Sequence, residues 1–210
     1  MTEFQLLSVP IGLVLGLGIT KILASISNLI RDRKQIKLHW MPFIWAVSLI
    51  LFPLVFFFHI WDLNLRFSKD SQSWTWMYYG PVMLHAIMMY LGCSLILPNQ
   101  LSGTSTTNLL TDFDENGRLA LVPLAITLIV SWPLNMYLYD TPFFSAANYL
   151  NVILAALILV AFLSNRRSLQ YVATILFLLI QIYGMAFLWA RPGHFQYLSL
   201  IHICRCRRAI

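Results

Sequence analysis

Formal charge is what this chain has least of. Asp, Glu, Lys and Arg make up 10% of its 210 residues, against about a quarter in an ordinary soluble domain. Cysteine is nearly as scarce: of three, two lie in the last seven residues, and Cys93 stands alone in an apolar run, where it reads as an inert core thiol. No folded basic surface is present to carry phosphate contacts, which excludes nucleic-acid binding despite a net charge of +6. Alternating strands of about ten residues are absent, which excludes a membrane β-barrel. The opening MTEFQLL lacks a basic stretch and a small-residue cleavage site, so no removable signal peptide is expected. No serine with a partner base, no carboxylate pair and no phosphate-cradling glycine loop is found, and no catalytic residue or cofactor is expected.

What the chain does have is apolar length. Uncharged or nearly uncharged runs cover residues 6–30, 41–61, 77–97, 119–139, 146–163 and 169–190. Runs of about 20 residues cross a hydrocarbon layer of about 30 Å as helices, and a lipid-exposed backbone leaves them no other open form. The expectation is all-α: one integral membrane domain over 1–197, a bundle of six transmembrane helices with the lipid bilayer as its first partner. Lys and Arg set the orientation. Arg31, Arg33, Lys34, Lys37, Arg118, Arg166 and Arg167 fall in alternate connections, against Arg66, Lys69 and Arg191 in the others. Seven against three predicts N-out and C-out. The arrangement is three helices, a long link and three helices, as in inverted-repeat transporters, but the two halves do not align.

Within the spans, the first helix carries Gly12, Gly16, Thr20, Ala24 and Asn28 at every fourth position. Such a stripe of small residues lets another helix approach closely, within this bundle or in a homo-oligomer or membrane partner. Lys21 is the only formal charge inside a span. It reads either as a side chain reaching toward the basic loop or, with His85, Asn135 and Gln181, as part of a polar path. His59 and His85 invite a haem or metal reading, but spans of 41–61 and 77–97 put them at different depths, about 12 Å apart by helical rise. D-x-D-x-N-G from Asp112 to Gly117 opens like a calcium loop, yet its twelfth position is Pro123, where a bidentate Glu belongs. It reads as a turn and cap, and no metal is expected.

GLGITKILASISNLIRDRKQIKLHWMPFIWA resembles a group of small multi-pass bacterial inner-membrane proteins with a glycine-rich first helix, a basic loop and W-x-x-x-x-W at the next interface. The resemblance is specific over residues 11–46. It implies a bacterial inner-membrane location and brings no catalytic residues. Leu198–Ile210 resembles something else: LSLIHI matches the translated end sequence that transposon-based libraries attach to DNA fragments. The tail therefore reads as adapter-derived, and His202, Cys204 and Cys206 would in any case fall one ligand short of a closed zinc site. The leading functional expectation is a non-catalytic membrane protein acting through helix packing or partner assembly. A small-solute or ion transporter with a polar path near Lys21 and His85 is the alternative, and a membrane redox or haem protein the second.

Overall fold

The computed structural model describes residues 3–69, 73–98 and 107–189. Seven α-helices account for most of them: α1 (Glu3–Arg31), α2 (Trp40–Lys69), α3 (Trp76–Leu95), α4 (Leu109–Glu115), α5 (Leu121–Tyr139), α6 (Ala146–Leu163) and α7 (Arg167–Gly184), the last running on into a short π turn, Met185–Trp189. Five of them (α1, α2, α5 with the 3₁₀ turn before it, α6 and α7) are long and apolar enough to cross a membrane. The sixth expected span is α3, a helix of 20 residues whose Tyr78, Tyr79, Gly80, Pro81 and His85 leave it less apolar than the others. The tail 198–210 lies outside the described residues.

Packing follows a ring. The most extensive contacts join α1 to α3, α3 to α5, α5 to α6 and α6 to α7, and α2 closes the ring against α1, α3 and α7. Side chains on α2 at positions 41, 45, 48, 52, 55, 59 and 62 alternate by four and three, which keeps them on one helical face. That face turns inward, with Met41, Trp45, Ser48, Phe52, Val55 and Asp62 all buried. Trp45 lies 4.8 Å and Phe52 6.0 Å from the ring of Phe177 on α7.

Two boundaries differ from the sequence reading. Helix α2 does not stop at Trp61 but continues to Lys69, because Leu63 and Phe67 remain buried after the apolar run ends. At 30 residues it is about 45 Å long, longer than a hydrocarbon layer of about 30 Å. The link 98–118 is not simply a loop. Asn108 caps α4 by accepting the Leu110 N–H at 3.1 Å, and Leu109 and Phe113 sink into the core.

The connections gather at two ends. At one, Ile36–Lys37 and Thr107–Asn108 pair as a two-residue parallel ladder. Asp114 there receives Arg167 in a two-point ion pair, Nη1 to Oδ1 at 2.7 Å, and also lies 3.3 Å from Arg118. At the other, Arg66 pairs with Asp140, and Glu3 accepts the backbone N–H of Trp74 at 3.2 Å. Asp140, which ends α5, takes a left-handed conformation with φ of 45°, a geometry an Asp tolerates better than most side chains. The Asp112–Gly117 stretch serves as a helix end, with Asn116 donating to Asp112 Oδ1 at 3.1 Å.

Candidate functional site

A cavity of about 80 Å³ lies inside the bundle, walled by α2, α3 and α5, with Asn151 contributed by α6. Most of its wall is aliphatic or aromatic. Its polar lining is His59, His85, Thr127, Ser131, Asn135, Tyr139 and Asn151, with no Asp, Glu, Lys or Arg among the lining residues. An apolar hollow with a few convergent polar groups is the usual form of a small-ligand site.

Most of these polar groups are hydrogen-bonded. His85 stacks on Phe56 with ring centroids 5.6 Å apart and its Nε2 lies 3.0 Å from Ser131 Oγ. The Ser131 hydroxyl donates to the Thr127 carbonyl at 2.8 Å. That direction leaves Oγ to accept, so His85 donates through Nε2–H and carries its lone pair on Nδ1. His59 uses Nδ1–H toward the Val55 carbonyl at 2.9 Å, which puts its lone pair on Nε2. Tyr139 donates its hydroxyl proton to the His59 carbonyl at 2.6 Å. Asn135 donates to Asn148 Oδ1 at 3.0 Å, and Asn148 in turn donates to the Pro142 carbonyl at 3.2 Å, tying α5, α6 and their link together.

The expected difference in depth between the two histidines is overturned. With α2 running to Lys69 and α3 starting at Trp76, the antiparallel pair places His59 and His85 at about the same level. Both line the one cavity and lie within electrostatic range of each other. A haem does not follow. A cavity of about 150 Å³ admits a single benzene ring, and this one is smaller, so a porphyrin would have to displace the helices' own side chains.

Of the four residues expected on a polar path, the structure brings together only His85 and Asn135. Gln181 is fully buried between α7 and α2, donating to the Ser48 carbonyl at 2.9 Å. Lys21 is exposed on the outer side of α1 and does not line the cavity. Among the described residues, the small-residue stripe is also not the row that packs against the other helices. A Cβ added to Gly12 or Gly16 would meet nothing within 4 Å, whereas one at Gly18 would lie 3.3 Å from Cys93 Cβ and 3.4 Å from Tyr90 Cα. The row that packs α1 is Ile11, Leu15, Gly18, Ile22, Ser25 and Leu29.

Sequence reading passed over Asp62, Ser131, Thr127 and Tyr139. The signal that finds Asp62 is the four-three spacing along α2, which carries the inward face past the apolar run through His59 to Asp62. Asp62 is 5% exposed, and its carboxylate acts electrostatically on both His59 and Tyr139.

An all-helical bundle with five membrane-length apolar helices around a partly polar hollow defines the class: this is a helical membrane protein. Comparison with protein-family models, with curated proteins and with solved structures returned no match for the chain.

Proposed function

We propose that the chain is a six-span protein of a bacterial inner membrane, N-terminus outside, that takes a small polar solute or ion into the hollow of its bundle and works without covalent chemistry. The observation that carries this reading is the shared cavity of His59 and His85, lined by hydroxyl, amide and imidazole groups at the level of the helix interiors. Polar groups inside a membrane bundle are costly, and they collect where a solute or ion passes. Six spans are supported by the length of α3, about 30 Å at helical rise, and by its place in the ring between α1 and α5. The orientation rests on the Lys and Arg of the connections.

A second reading, assembly with a partner helix or a second copy, draws on the outward position of Gly12 and Gly16. It is compatible with the first, since carriers also assemble.

The test of the cavity reading is chemical access. With Cys93, Cys204 and Cys206 replaced by alanine, Leu134→Cys puts a thiol in the cavity lining. Methanethiosulfonates react with thiolates and so report water at the thiol. In lipid vesicles, a small aminoethyl reagent is expected to label Leu134→Cys at least tenfold faster than a control Leu176→Cys on the lipid-facing side of α7. Equal, slow labelling of both would overturn the reading.

A further inference from the structure

We infer that the hollow receives a small uncharged amide, of the urea or formamide class, seated against Asn151 of α6 and Asn135 of α5. The inference rests on the cavity reading above and narrows its solute to a neutral one.

Asn151 is 6% exposed and lines the hollow, yet its carboxamide makes no hydrogen bond to another described residue. Buried amides are almost always paired. Asn148, three positions earlier on the same face of α6, shows the ordinary arrangement. It accepts from Asn135 at 3.0 Å and donates to the Pro142 carbonyl at 3.2 Å. Past Asn151 that face turns apolar, with Leu154 and Ile158 buried. Asn151 thus keeps two N–H donors and an acceptor oxygen for the hollow. Asn135 spends an N–H on Asn148, and no described residue donates to its Oδ1.

Two helices therefore offer an amide donor pair and two amide oxygens. The complementary ligand brings an acceptor and more than one N–H donor together. A carboxamide or a urea carries both in one plane, whereas a simple alcohol carries a single donor. The α2 and α3 walls add Phe52, Val55, Phe56 and Met89, apolar surface suited to the flat face of such a molecule.

Charge and size narrow the class further. No Asp, Glu, Lys or Arg lines the hollow, so an ion entering it leaves water without meeting a carboxylate or a cationic side chain. That costs far more than transfer of a neutral polar group that finds hydrogen bonds. A benzene ring needs a cavity of about 150 Å³. The hollow has about 80 Å³, room by the same measure for roughly three or four non-hydrogen atoms. Water fills a polar space of this size when nothing else does, and an amide that reproduces the water's hydrogen bonds displaces it without loss.

The test is protection. Leu134→Cys in the cysteine-replaced chain, in lipid vesicles, is labelled with methyl methanethiosulfonate, which is uncharged. Two pairs of matched shape compete: urea against guanidinium, and formamide against formate. Ionic strength is held equal and competitors reach about 0.1 M, the weak range expected of so few atoms. Urea and formamide are expected to slow the labelling severalfold, while guanidinium and formate leave it unchanged and Leu176→Cys is unaffected by all four. Asn151→Leu is expected to abolish the protection and to unfold in detergent no earlier than the parent, because it gives up no bond within the described chain. Labelling that neither amide slows would mean a hollow that holds water only and would overturn the inference. So would equal slowing by either ion, protection that survives Asn151→Leu, or earlier unfolding of that variant. Each of these leaves the cavity reading standing, whereas an unlabelled Leu134→Cys removes both.

Discussion

Tyr139 of α5 donates its hydroxyl proton to the backbone carbonyl of His59 on α2, across 2.6 Å. The carbonyl accepts this bond from outside its own helix, and the ring of Tyr139 is edge-on to that of His59. One side chain thus fixes the wall of the cavity and the rim above it. Tyr139→Phe keeps the ring and removes the bond. A buried hydrogen bond contributes about 0.5–1.5 kcal/mol, so a loss of that size is expected in detergent unfolding, with the helix content retained. Unchanged unfolding would mean that the ring alone holds the two helices.

The two glycine rows of α1 make opposite predictions. Gly18→Leu would drive a side chain into Cys93 and the backbone at Tyr90, and overpacking of this kind costs about 1–3 kcal/mol. Gly16→Leu adds apolar surface on the outer side of α1 and should leave the unfolding of the single chain unchanged. Thermal unfolding of both variants in the same detergent decides it. If Gly16→Leu proves the more damaging, the packing face has been assigned to the wrong row. If it keeps its stability but lowers the size of a complex seen by light scattering, the outer row serves assembly.

Gln181 presents a different contrast. Its amide Nε2 donates to the Ser48 carbonyl, while its Oε1 finds no hydrogen-bond partner among the described residues. A buried acceptor left unmade costs about 1–3 kcal/mol, which offsets what the donated bond contributes. Gln181→Met, of similar length, is therefore expected to unfold within about 1 kcal/mol of the parent. A larger loss would show that Oε1 is satisfied in the membrane, and water held between Gln181, Ser48 and Trp45 would be the first thing to look for by hydrogen exchange.

The link around Asp114 is an electrostatic clasp at the basic end. Arg167 is only partly buried there, so the pair is worth no more than about 1 kcal/mol in global unfolding. Its local effect should be larger: Asp114→Ala is expected to speed proteolytic cleavage within 98–118 several-fold, and raised salt should do the same to the parent. Equal cleavage rates would show that Leu109 and Phe113 hold the segment without help.

Five of the expected spans are helices long and apolar enough to cross a membrane, legible because apolar length is a strong signal, and α6 falls on the expected 146–163. Facing was not legible. In water the buried side of a helix is the apolar side, but in lipid both sides are apolar, so the regular spacing of Gly12, Gly16 and Thr20 marked a row without saying which way it turned. The end of α2 was misread for a related reason. DLNLRFSK looks like a loop when only mean hydropathy is weighed, yet Asp62 and Arg66 continue the inward face and Leu63 and Phe67 stay buried. That error of two turns separated His59 from His85 on paper. The cavity itself was out of reach of the sequence, since Ser131, Thr127 and Tyr139 look like ordinary helix residues until another helix stands opposite them.

The short ladder between Ile36–Lys37 and Thr107–Asn108 also constrains how the molecule is made. It joins the connection after α1 to the segment after α3, so it cannot form until the chain through α3 has been made and has folded back. The clasp from Asp114 to Arg167 waits longer still, for the connection between α6 and α7. In chain order, the ladder can therefore close before the clasp. A chain that stops before residue 107 would have its first three helices without this ladder, and the hollow that α5 walls would not yet exist.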